Sequence, residues 1–146
     1  MNNIVKVSLD TISYQNKPND YEIKLINNRL INNKAEISIE RLADLVGNKG
    51  HTFAPAIFGK KRTADEVLEI QLLCLDFDNK DKKISINEAI ARSESLDLPV
   101  VFAYETFSSN NCSKFRIVYR YFEPIVNIDF YKIMIGILLE LFPDSH

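Results

Sequence analysis

The stretch Leu72-Leu73-Cys74-Leu75-Asp76-Phe77-Asp78 constrains this chain more than any other, because an apolar run stops abruptly on two carboxylates spaced two apart. A run of that length, rich in large side chains and bounded by polar residues, reads as a buried strand. Strand side chains alternate faces, so Asp76 and Asp78 are expected on one side, Leu75 and Phe77 on the other. Two like charges held side by side at the end of a buried strand repel each other, and a divalent cation is the usual compensation. The plain alternative is a solvent-facing strand end whose Asp78-Asn79 begins a turn.

The surrounding pattern alternates strands with helices. Ile4 to Leu9 reads as a strand, and a short strand around Tyr21 to Ile26 precedes a loop. Ser38 is placed to cap a helix that runs through Leu42 and Leu45 and stops at Gly47. Phe53 to Phe58 reads as a strand made irregular or edge-bound by Pro55. Thr63 with Glu66 has the form of a capping box, as does Ser85 with Glu88. Leu98 to Thr106 and Lys114 to Phe122 read as further strands, the latter ending at Pro124. Asp129 is placed to start a last helix. The seven-residue polar segment from Phe107 to Ser113 suits a hairpin and is too short for a helical crossover. The fold class is therefore α+β, with a mixed or antiparallel central sheet flanked by helices.

Composition narrows the function classes. With 146 residues the chain has the length of a single domain, and a net charge of -2 means that any basic surface must be local. Cys74 and Cys112 show no zinc-type spacing and fit a reducing compartment. The N-terminus has no signal-peptide pattern, and Phe130 to Phe142 is too short and too polar, with Lys132 and Glu140, to span a bilayer. A cytoplasmic protein without membrane contact is expected.

Three groups of residues carry possible chemistry. Asp76 and Asp78 form the metal-type pair. An EF-hand register through Asn79 to Glu88 fails, because it puts Phe77 at the first ligand position and Lys82 where glycine is required. A metal-dependent phosphohydrolase opening on Asp-x-Asp would want Gly-Thr where Asn79-Lys80 stands. Downstream, Thr106, Ser108 and Ser109 offer hydroxyls at a strand exit, and Lys114 and Arg116 place two cations on one strand face, as a nucleoside triphosphate requires. The bland reading pairs Arg116 with a neighbouring acid on a solvated face. Lys60-Lys61-Arg62 could hold a phosphate backbone or an incoming nucleotide, or be a solvated basic turn. His51, alone in a loop, reads as bland.

The order of these features resembles the archaeo-eukaryotic primase superfamily, in particular the primase-polymerase domains in replication proteins of phages, plasmids and mobile elements. The features are Gly59-Lys60-Lys61-Arg62, then Asp-Phe-Asp-Asn, a helix, Thr106-Phe107-Ser108-Ser109, Lys114-Phe115-Arg116 and Pro124-Ile125. The resemblance covers residues 53–143 and leaves 1–50 without a match. It implies an RRM-like core and template-directed nucleotidyl transfer on single-stranded DNA, supported by Mg²⁺ or Mn²⁺. It makes Asp76 and Asp78 metal ligands, sets Lys114 and Arg116 on the triphosphate, has Ser108 and Ser109 support the loop, and expects a helicase module as partner. Two departures stand out. Lys114 occupies the place of a phosphate-binding histidine, and the third carboxylate of the family has only Asp144 as a poor match. A fragment of a longer replication protein would show such a gap, as would a catalytically incomplete DNA-binding module that positions a helicase.

Overall fold

Pro55 cannot donate to a β-ladder, and at this residue the chain leaves one sheet for another. The computed structural model describes residues 2–78, 84–107, 109 and 114–146. The first sheet is built from β1 (Ile4–Ser13), β2 (Lys34–Ser38) and β3 (His51–Ala54), in the order β2-β1-β3. The second is built from β4 (Ala56–Phe58), β5 (Val67–Asp78), β6 (Val100–Glu105) and β7 (Lys114–Ile125), in the order β4-β5-β7-β6. Every pairing in both sheets is antiparallel. Among the described residues the α-helices are α1 (Asp20–Asn32), α2 (Ile39–Gly47), α3 (Ile86–Ser95) and α4 (Ile128–Leu141).

Because β7 is antiparallel to both β5 and β6, those two strands run in the same direction with β7 between them. The helix α3 connects them, so β5-α3-β6-β7 is a split β-α-β unit. The hairpin expected between β6 and β7 is present.

The two faces of the second sheet differ. Leu73, Leu75, Phe77, Phe115, Ile117 and Tyr119 point toward α3 and α4 and are packed with Ala89, Leu138 and Phe142. Phe77 and Phe115 are cross-strand partners whose rings stack at 4.7 Å, and Phe142 meets Phe77 edge-on at 6.0 Å. On the opposite face Leu72 and Val118 join Val5, Val7, Ile37, Leu42, Val46 and Phe53 in a core shared with the first sheet and α2. The period of two then carries this inner face from Leu72 and Cys74 to Asp76 and Asp78, where the packing ends.

Several expectations need correction. Residues 21–26 are helical, because Asn19 and Glu22 form a reciprocal capping box that starts α1 at Asp20. Ser38 and Ser85 cap α2 and α3 as expected, but Thr63 makes no capping bond and only a short 3-10 turn follows. Glu66 instead accepts the backbone N–H of Lys60 at 2.9 Å. Pro124 does not end β7. Ile125 pairs with Ile70 while Arg120 pairs with Leu72, so Pro124 sits in a bulge where its missing N–H breaks no ladder bond. Residues 1–50, which the resemblance leaves without a match, supply the greater part of the first sheet. Asn79 to Lys83 and Cys112 lie outside the described residues. Among the described residues no helix is long and apolar enough to cross a membrane.

Candidate nucleotide and metal site

Asp76 and Asp78 emerge on the same face of β5, directly opposite Arg116 and Lys114 of β7. The carbonyl of Asp76 accepts the N–H of His146 at 2.9 Å, on the edge away from β7, and that of Lys114 accepts the N–H of Thr106 on the β6 side at 3.1 Å. Both cross-strand pairs are thus of the non-hydrogen-bonded kind, in which opposing side chains approach most closely. Arg116 uses this proximity fully: its Nε and Nη2 donate to the two oxygens of Asp76 at 2.5 and 3.1 Å. Its Nη1 donates to the Tyr104 hydroxyl on β6 at 3.0 Å. Lys114 Nζ lies 3.7 Å from Asp78 Oδ2, an ion pair without the bidentate geometry.

The guanidinium is largely enclosed, which is the largest single influence and opposes its charge, yet the hydrogen bonds to Asp76 together with the electrostatic pull of Tyr104, Cys74 and Asp76 outweigh this and raise its pKa above the ordinary value. Burial likewise raises the Tyr104 hydroxyl, and pushes the Cys74 thiol, one position in from Asp76 on the same face, up to about 12. Arg116 is therefore a fixed cation, paired with Asp76 in a setting where Tyr104 and Cys74 stay neutral.

The basic turn divides. Arg62 reaches back to donate to Asn27 of α1, and it is close enough to Arg116 for the two charges to interact. One side of Arg62 remains accessible, while desolvation on the other and the Arg116 charge lower its pKa. Lys60 and Lys61 are exposed. Ser109 donates to Glu105 at 2.8 Å and accepts the Lys114 N–H at 3.2 Å, so it fastens the start of β7 to the end of β6. Ser108 lies outside the described residues. Asp144 does not join the carboxylate pair: among the described residues there is no grouping of three or more metal-ligating side chains.

Beside Arg116 opens a cleft of about 340 Å³ between the end of β6 and the loop from α2 to β3. Tyr14, His51, Tyr104, Phe107 and Arg116 contribute to its walls. Gly50 shapes the rim: its φ is 77°, and a Cβ there would come within 1.9 Å of the Tyr14 carbonyl oxygen. Sequence reasoning passed over His51, whose partner is a backbone carbonyl 41 residues away that no local pattern announces.

Two carboxylates without a third among the described residues, both already engaged by cations, suit an ion shared with phosphate and do not suit a metal held by protein ligands only. Mg²⁺ characteristically binds through one or two carboxylates plus substrate phosphates. Asp76 and Asp78 would hold it, provided that Arg116 and Lys114 turn to the phosphates. Comparison of the chain with protein-family models, curated proteins and solved structures finds no match.

Proposed function

We propose that this chain is a primase-polymerase-type domain that carries out metal-dependent, template-directed nucleotidyl transfer. The observation that carries the reading is the placement of Asp76, Asp78, Lys114 and Arg116 on one open sheet face beside a cleft, with Arg62 overlooking them. Lys114 and Arg116 face Asp76 and Asp78 there and Arg62 is within electrostatic reach of Arg116, a grouping of cations that suits a triphosphate.

In this scheme the ion pairs are a resting arrangement. An incoming triphosphate draws Arg116 and Lys114 onto its oxygens, Arg116 through its planar fork and Lys114 as a point charge. Asp76 and Asp78 are then released as ligands. Divalent ions bound with the phosphates would lower the pKa of the attacking 3′-hydroxyl and neutralise the leaving group. Tyr104, hydrogen-bonded to Arg116, limits how far the guanidinium can turn. Lys60 and Lys61 project from the same basic turn as Arg62 and offer positive charge to a single-stranded DNA template. A helicase in the same or a partner chain would use the primer.

The test is primer synthesis and extension on single-stranded DNA with Mg²⁺ or Mn²⁺. Asp76→Ala combined with Asp78→Ala should remove incorporation. Synthesis that persists in the double variant, or its absence from the unaltered protein with both metals, rejects the reading. One observation favours a second possibility: both acids are ion-paired and no third acid joins them among the described residues. Metal-independent DNA binding without incorporation would identify a primase-like module that positions a helicase.

A further inference from the structure

The cleft beside Arg116 is built more elaborately than a gap between two sheets requires. The Nδ1 of His51 lies 2.8 Å from the backbone carbonyl of Asp10, an acceptor only, so Nδ1 carries the proton. The neutral ring then presents the lone pair of Nε2, which has no partner among the described residues. The residue that holds the ring is itself anchored. The Asp10 carboxylate is fully buried, and Arg29 of α1 grips it at 2.5 and 2.9 Å. Arg29 also donates to the hydroxyl of Tyr14, a cleft residue, at 2.9 Å. A metal- or substrate-facing histidine oriented from behind in this way has its acceptor nitrogen fixed in direction.

The cleft therefore combines a fixed hydroxyl acceptor at His51, a fixed cation at Arg116, and exposed ring surface at Phe107. A molecule with a hydroxyl-bearing sugar, a flat base and a phosphate matches all three. We infer that this cleft is a ribonucleoside subsite, in which His51 Nε2 accepts a hydrogen bond from a ribose hydroxyl while the phosphates lie at Arg116. Its volume of about 340 Å³ is at the small end of ligand sites, which fits a nucleoside with its phosphates extending outward to Lys114. The phosphate end rests on the function proposed above; the sugar contact rests on the cleft itself.

The experiment is calorimetric or NMR titration of the intact chain with AMP, 2′-deoxy-AMP and 3′-deoxy-AMP, without metal or template. AMP should bind and perturb Tyr14, His51 and Phe107. Loss of one of the two hydroxyls should weaken binding about fivefold to tenfold, the value of one hydrogen bond. The unaltered protein makes this comparison, so no variant has to fold for it. His51→Phe should erase the difference, and His51→Gln, which keeps an acceptor, should retain part of it. Equal binding of all three nucleotides, absence of AMP binding, or a hydroxyl preference that survives His51→Phe overturns the inference. Primer synthesis in the face of that result would leave the nucleotidyl-transfer reading standing, whereas AMP binding without any synthesis would leave only the subsite.

Discussion

Arg116→Gln should have opposite effects on two ligands, strengthening Mn²⁺ binding by the nucleotide-free protein and weakening triphosphate binding. The reason is competition: a metal reaching Asp76 has to displace a bidentate guanidinium. The size follows from the geometry. Unit charges about 4 Å apart interact by about 1 kcal/mol in water and about 4 kcal/mol at the effective dielectric of a protein surface. The side chains of Arg116 and Asp76 are 26% and 42% exposed, so solvent screens much of this. Allowing for that screening and for the small net worth of exposed pairs, the competition is about 1.4 kcal/mol, or about tenfold in Mn²⁺ affinity. Lys114→Gln should give only about twofold, since its single contact with Asp78 is 3.7 Å long. Both affinities can be read by Mn²⁺ electron paramagnetic resonance and isothermal titration, with and without a non-hydrolysable triphosphate. An unchanged or lower Mn²⁺ affinity in Arg116→Gln, or a larger gain in Lys114→Gln, would refute the idea that these pairs guard the carboxylates.

Phe77→Ala should cost about 3–5 kcal/mol in a urea unfolding experiment, because the ring is buried and touches both Phe115 and Phe142; a loss below about 1 kcal/mol would mean that the end of β5 is not held by this stack. Stability should also fall as pH rises from about 8.5 toward 12: the folded Cys74 keeps its proton to about 12 whereas an unfolded cysteine releases it near 8.5. Tyr104, Tyr119 and Tyr131, all raised by burial, act in the same direction above about pH 10. Cys74→Val should flatten the first part of that decline in the urea midpoint, and an equally steep profile in this variant would assign it elsewhere.

What could be read from the residues depended on whether its cause was local. The shared face of Asp76 and Asp78 follows from the two-residue period of any strand, and the Ser38 and Ser85 caps follow from side chains a few residues from their donors. The hairpin was readable from the length of the polar segment. By contrast, α1 was missed although its cause is just as local, since Asn19 and Glu22 announce it with a capping box. That β1 and β3 belong to a sheet of their own was not readable, because β2, which completes it, is short and buries only Ile37. The pairing of Asp76 with Arg116 requires the register of strands 40 residues apart, which alternation alone does not provide. His51 became a site residue only through its contact with β1, and Arg62 was set apart from Lys60 and Lys61 only by its contact with α1, neither of which has a sequence signature.

Pro55 has a mechanical consequence. One residue separates the end of β3 from the start of β4, so the two sheets are riveted at that corner, and Ser8 of β1 reinforces the joint by donating to the Ala56 carbonyl at 2.8 Å. Sheets coupled so tightly cannot swing apart like jaws on a flexible strap. Whatever enters between them meets walls already set at their working distance, and little of its interaction energy is lost to closing them.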